Sequence, residues 1–109
     1  VLSCANLNAP EAPLPPACAD DEGSLDAVGV PRSRVEAKYP RAALRNRSDG
    51  YVCLNFTVQA DGSVSDMCIS DAQPQGVFDR ASVEALEQWK YAPSKAPFRS
   101  GTCFMFNAE

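Results

Sequence analysis

The chain has no histidine among its 109 residues. That absence removes imidazole as general base and as metal ligand, so Ser-His-Asp and Cys-His catalytic arrangements cannot be built. Only six glycines are present, and none forms a phosphate-cradling loop. There is no CxxC pair: the five cysteines lie 14, 35, 15 and 35 positions apart, spacings unlike a zinc knuckle or a thioredoxin-like motif. No apolar run approaches the roughly 18–20 residues that span a bilayer. Positive charge is in deficit, with a formal net charge of −4, which argues against nucleic acid and against anionic lipid surfaces. A local basic run from Arg32 to Arg47 reads as a solvated face, and Asp20-Asp21-Glu22 as a solvated acidic turn. The expectation is a non-enzymatic protein with no catalytic residues, no cofactor and no metal site.

Hydrophobic residues make up 45% of the chain, enough for the core of one small domain. Five cysteines in so short a chain point to an oxidising compartment, periplasmic or secreted. Without an initiator Met or a signal peptide, the sequence reads as a mature or trimmed product.

Residues 1–27 have the composition of an arm or linker, with Pro10, Pro13, Pro15 and Pro16 among alanines and acidic residues. Residues 28–109 hold the folded domain. "KYPRAALRN" reads as a short helix with Pro40 at its first position, ended by Asp49-Gly50. The first strand alternates cleanly: Val52, Leu54, Phe56 and Val58 on one face, Cys53, Asn55 and Thr57 on the other. "QADGSV" makes the turn, with Gly62 able to take a positive φ. In the returning strand Val64 falls out of phase with Met67 and Ile69, and a β-bulge near Ser65-Asp66 restores the register. "GVFDRASVEALEQWKY" is an amphipathic helix, with Phe78, Ser82, Ala85, Leu86 and Trp89 on one face and Pro93 ending it. "TCFMFN" is the third strand, with Phe104 and Phe106 on the core face and Cys103 and Met105 on the other.

The expected fold is α+β: a three-stranded antiparallel sheet, order second–first–third, with two helices packed on one face. The expected core is Val52, Leu54, Phe56, Val58, Met67, Ile69, Phe78, Leu86, Trp89, Phe104 and Phe106. Cys53, Cys68 and Cys103 would point away from the helices. Cys53 then pairs with one neighbouring strand, or a strand cysteine reaches Cys18. Cys53–Cys103 is preferred, closing a loop of about 50 residues worth roughly 4 kcal/mol on the chain-entropy argument. Cys4 has three fates: a Cys4–Cys18 bridge, a lipid anchor suggested by "VLSC", or a link to a second copy.

The segment from Tyr39-Pro40 to Trp89-Lys90-Tyr91 and Pro93 resembles the C-terminal domain of TonB, the periplasmic end of a bacterial energy transducer. The features that carry the resemblance are Tyr39-Pro40, Gly50, Asp61-Gly62 with Val64, Phe78, and Trp89-Lys90-Tyr91 followed by Pro93. The TolA C-terminal domain is similar and carries a cysteine near the position of Cys53. The resemblance implies a cell-envelope protein partner, a TonB-dependent receptor or similar, whose extended segment adds alongside the last strand. It places partner contacts at Thr102, Cys103, Phe104, Met105, Phe106 and Asn107, and at Lys38, Tyr39 and Pro40, with Glu36-Ala37-Lys38 in the gripping position. The alternative is a stand-alone secreted or lipid-anchored inhibitor, immunity or scaffold protein on the same fold.

Overall fold

The computed structural model describes residues 14–19, 23, 25 and 29–107. Cys4 lies outside them, so its lipid and inter-chain fates are not addressed by the structure. Five elements follow in order: α1 (Arg41–Arg45), β1 (Gly50–Val58), β2 (Val64–Gln73), α2 (Asp79–Leu86) and β3 (Phe98–Phe106). The sheet is three-stranded and antiparallel, ordered β2-β1-β3. β1 is central because it pairs on both sides, and its alternation buries one face: Val52, Leu54, Phe56 and Val58 are all completely buried. Each such side chain contributes about 1.5–3 kcal/mol by leaving water. They pack with Ala43 of α1, Phe78, Ala85 and Leu86 in and around α2, and Trp89, Phe104 and Phe106. Met67 and Ile69 are only partly buried and pack against this core from the edge strand.

The bulge expected in β2 is present. Between Asn55 and Thr57 on β1, β2 steps from Cys68 to Ser65, one residue too many, and Asp66 takes a φ of 52°. A second irregularity lies between Cys53 and Leu54, which pair with Asp71 and Ile69. There Ser70 turns its hydroxyl onto the Cys53 carbonyl at 3.1 Å.

Element ends differ from the sequence reading in three places. In α1 the Pro40 carbonyl accepts from Leu44 N–H at 2.9 Å, so Pro40 precedes the helix rather than opening it. The stop is not Asp49-Gly50. Ser48 N–H donates to Ala43 O and Arg47 N–H to Leu44 O, with Arg47 at a φ of 52°, which is a Schellman cap built on an arginine. Helix α2 ends at Leu86, well before Pro93. Trp89 N–H turns back to Leu86 O, tightening the last turn, and Lys90 then bridges to Ser33. Finally, β3 begins at Phe98 rather than Thr102, because Phe98 to Gly101 pair with Val58 to Asn55 of β1.

Two disulfides are formed, Cys53–Cys103 and Cys18–Cys68. Cys53 and Cys103 are directly opposed in the β1–β3 ladder, 3.9 Å apart at Cα. Cys18 therefore does not pair with Cys4. It is drawn to β2 instead, where Cys18 N–H donates to Ile69 O and Ile69 N–H to Pro16 O, both at 2.9 Å. Gly23 and Leu25 lie against the sheet face opposite the helices. The Asn55 amide donates to Gly23 O at 2.7 Å, and the Leu25 carbonyl lies so close to Gly101 that a Cβ there would stand 2.6 Å from it. This cover explains why Asn55 and Cys68, both pointing away from the helices, are nonetheless buried.

Candidate functional site

The segment from Ser33 to Tyr39 runs beside β3 and is pinned at its two ends. At one end Ser33 and Lys90 exchange backbone hydrogen bonds, both 3.0 Å. Next to them the Trp89 indole N–H donates to Val35 O at 2.9 Å, and the Arg34 guanidinium lies 4.9 Å from the Trp89 ring centroid. Cation and ring attract through the negative face of the indole. Trp89 in turn leans on Phe104 at 5.6 Å. At the other end Tyr39 packs edge-on against Phe78 and Phe106, which stack on each other at 4.3 Å. Its hydroxyl donates to Ser48 O. Burial, and then the negative charge of Asp49, holds the Tyr39 phenol above its usual range, so it stays a neutral donor.

Between these pins an open groove of about 270 Å³ separates the segment from the sheet. One wall is Arg34, Val35, Glu36 and Ala37; the other is Thr102 to Phe106, with Trp89 alongside. β3 pairs with β1 on its inner side and forms the edge of the sheet on its outer side. An edge strand offers backbone N–H and C=O groups at alternate residues, the template for one more strand. Along the groove Phe104 and Phe106 are buried whereas Met105 is 70% exposed, so side chains alternate between core and solvent.

The sequence-derived contact residues divide accordingly. Thr102, Cys103, Phe104, Met105 and Phe106 line the groove, and Asn107 continues exposed beyond β3. Lys38 faces a different cavity, against Ala81, Glu84 and Glu87 on the outer side of α2. Tyr39 is a packing strut and Pro40 the lead-in to α1. Arg34, Val35 and Trp89 were not singled out as groove residues by the sequence. The periodicity that marked Trp89 as core gave no sign that its indole edge also shapes the groove. Among the described residues, no group of three or more His, Cys, Asp or Glu is arranged to hold a metal ion, and no helix is long and apolar enough to cross a membrane.

Residues 35–105 match the family described as the Gram-negative bacterial TonB protein C-terminal. The chain belongs to that family. The TonB-type domain here is 36% identical over 63 residues to Protein TonB of Escherichia coli K12, covering 58% of this chain and 26% of that protein. It is 31% identical over 72 residues to Protein TonB of Pseudomonas aeruginosa, covering 65% of this chain and 21% of that protein. The chain thus spans about a quarter of the length of these curated relatives. Its fold matches the solution structure of the Pseudomonas aeruginosa TonB C-terminal domain with a TM-score of 0.64 at 27% identity, over 73% of this chain and 86% of that one. TonB2 of Vibrio anguillarum aligns over 92% of this chain and 95% of its own, with a TM-score of 0.61 and 27% identity.

Proposed function

We propose that this TonB-type domain is a non-enzymatic interaction module of the bacterial periplasm. It takes up an extended segment of an outer-membrane receptor as a fourth strand on the outer edge of β3. The observation that carries this reading is the groove itself, an open slot between β3 and a pinned parallel wall. In it a peptide backbone can pair with β3 on one side while its side chains meet Arg34 to Ala37 and Trp89 on the other. Arg34 and Glu36 put opposite charges on the same wall, which suits a segment of mixed polarity rather than a purely apolar one.

The test is a titration of isotopically labelled protein with extended peptides copied from receptor plug termini, read through backbone amide shifts. The expected result is saturable shifts concentrated at Thr102–Asn107 and Arg34–Ala37, with slowed amide exchange along β3. A flat titration, or shifts confined to α2 and the Lys38 cavity, overturns the reading and favours an inhibitor or scaffold role for the same fold.

A further inference from the structure

The two disulfides differ in what surrounds their sulfur atoms and in what holds their partners together. Arg99 of β3 reaches across β1 to β2, where its Nη2 lies 3.2 Å from Cys68 Sγ. The same guanidinium donates to Thr57 Oγ1 at 3.1 Å and to Asp66 O at 2.5 Å, so the cation is fixed in place beside the sulfur by β1 and by the bulge of β2. Cys68 is 6% exposed, whereas Cys18 on the arm is half-buried and the more exposed of the two.

We propose that Cys18–Cys68 is a thiol–disulfide exchange site for an external dithiol, opened by attack on Cys18 with Cys68 as the leaving group. In the first step a thiolate of the dithiol bonds to Cys18 Sγ and the Cys18–Cys68 bond breaks. The electron pair passes to Cys68 Sγ, where the Arg99 cation favours the thiolate. In the second step the other thiol of the reductant, as its thiolate, attacks its partner sulfur in the mixed disulfide. Cys18 leaves as a thiolate and takes up a proton. The dithiol becomes a disulfide, and two electrons have passed to the protein.

Accessibility alone favours attack on Cys103, which is exposed. The two bridges part company once they have been opened. Cys53 and Cys103 sit opposite each other in a ladder that pairs Gly50–Val58 with Phe98–Phe106 in unbroken register. An opened pair there stays adjacent and recloses, expelling the incoming thiol. Among the described residues, the Cys18 end is held to β2 by two backbone hydrogen bonds at Ile69, and the arm to the sheet face by the Asn55–Gly23 bond, each worth about 1 kcal/mol, and by the close approach of Leu25 to Gly101. Once the bridge opens, the arm leaves, and with it the high effective concentration that drives reclosure. Release uncovers the N–H and C=O of Ile69 on the outer edge of β2, away from the β3 groove.

The test uses the full chain with Cys4→Ser, so that no third thiol can shuffle, in graded dithiothreitol buffers. Aliquots are quenched in acid, alkylated and mapped by peptide mass spectrometry. Cys18 and Cys68 should be labelled while Cys53–Cys103 stays bridged, and glutathione in place of dithiothreitol should leave its trapped adduct on Cys18. Arg99→Gln should slow the opening about three- to ten-fold, the size expected for a leaving thiol made less acidic, while Arg99→Lys keeps most of the rate. Opening of Cys53–Cys103 first or at the same reductant level, an adduct on Cys68, or an unchanged rate in Arg99→Gln would each overturn the proposal.

Discussion

The Trp89 indole N–H donates to the Val35 carbonyl at 2.9 Å, a contact between residues 54 positions apart. It ties the chain just after α2 to the wall of the β3 groove. Replacing Trp89 by Phe keeps an aromatic ring against Phe104 but deletes the donor and part of the buried area. The expected loss is about 1–3 kcal/mol, read as a lower urea midpoint by circular dichroism. The groove should loosen with it, so receptor-derived peptides should bind more weakly to the variant than to the parent at equal folded fraction.

Gly50 opens β1 against the ring of Phe78. A Cβ at this position would lie 2.6 Å from the ring and closer still to the carbonyl oxygen of Gln73. Neither can give way cheaply, because Phe78 is fully buried and Gln73 is backbone-paired opposite Tyr51. Gly50→Ala should therefore lower stability by about 1–3 kcal/mol, visible as a drop in Tm of several degrees.

Arg47 closes α1 with a φ of 52°, where a side chain crowds its own backbone and glycine does not. Arg47→Gly should raise stability by about 0.5–1 kcal/mol, the left-handed penalty less the chain entropy glycine loses on folding. A fall in the urea midpoint would show that the arginine side chain makes a compensating contact.

Tyr91 is the group to watch in alkaline solution. Burial raises its phenol above the ordinary value of 10.0, partly offset by the hydrogen bond with Ser100 and by the Arg34 charge. The folded state thus holds this proton more tightly than the unfolded chain does. Its stabilising contribution is complete below the unfolded value and is lost as pH rises from there through the raised folded value. Stability should decline above about pH 10, and Tyr91→Phe should flatten that decline. An equally steep decline in the variant would assign it to other groups.

The alternation of β1 was enough to place its strand and its buried face, and the reversal of the chain through the second helix put it at the centre of the sheet. The alternation also turned Cys53 to the face away from the helices, because a period of two leaves no choice of face once Val52 and Leu54 are inside, whereas its position opposite Cys103 depends on the β1–β3 register. The β2 bulge was legible for the same reason, as a phase error between Val64 and Met67. Helix ends were not. Arg47 carries no mark of a left-handed cap, and the stop of α2 depends on Lys90 meeting Ser33, a partner 57 positions away that periodicity cannot see. The arm was misleading in composition. Its prolines suit an extended linker, yet extended chain is also what lies flat along β2, and only the pairing of Cys18 with Cys68 decides between the two. The groove was half legible: β3 carried its own pattern, while the wall from Arg34 to Ala37 has no periodicity to betray it.

The two bridges overlap along the chain, each joining residues 50 positions apart and both passing through the β1–β2 hairpin. A pull applied between residue 18 and residue 103 would therefore not run along the roughly 85 residues between them. It would pass through one bridge, back along about 15 residues of hairpin, and out through the other. At about 3.5 Å per extended residue, that tether stretches to about 50 Å instead of about 300 Å. Both helices and the wall of the groove hang outside the taut line, so the domain is wired as a short strap with the β3 edge at one end.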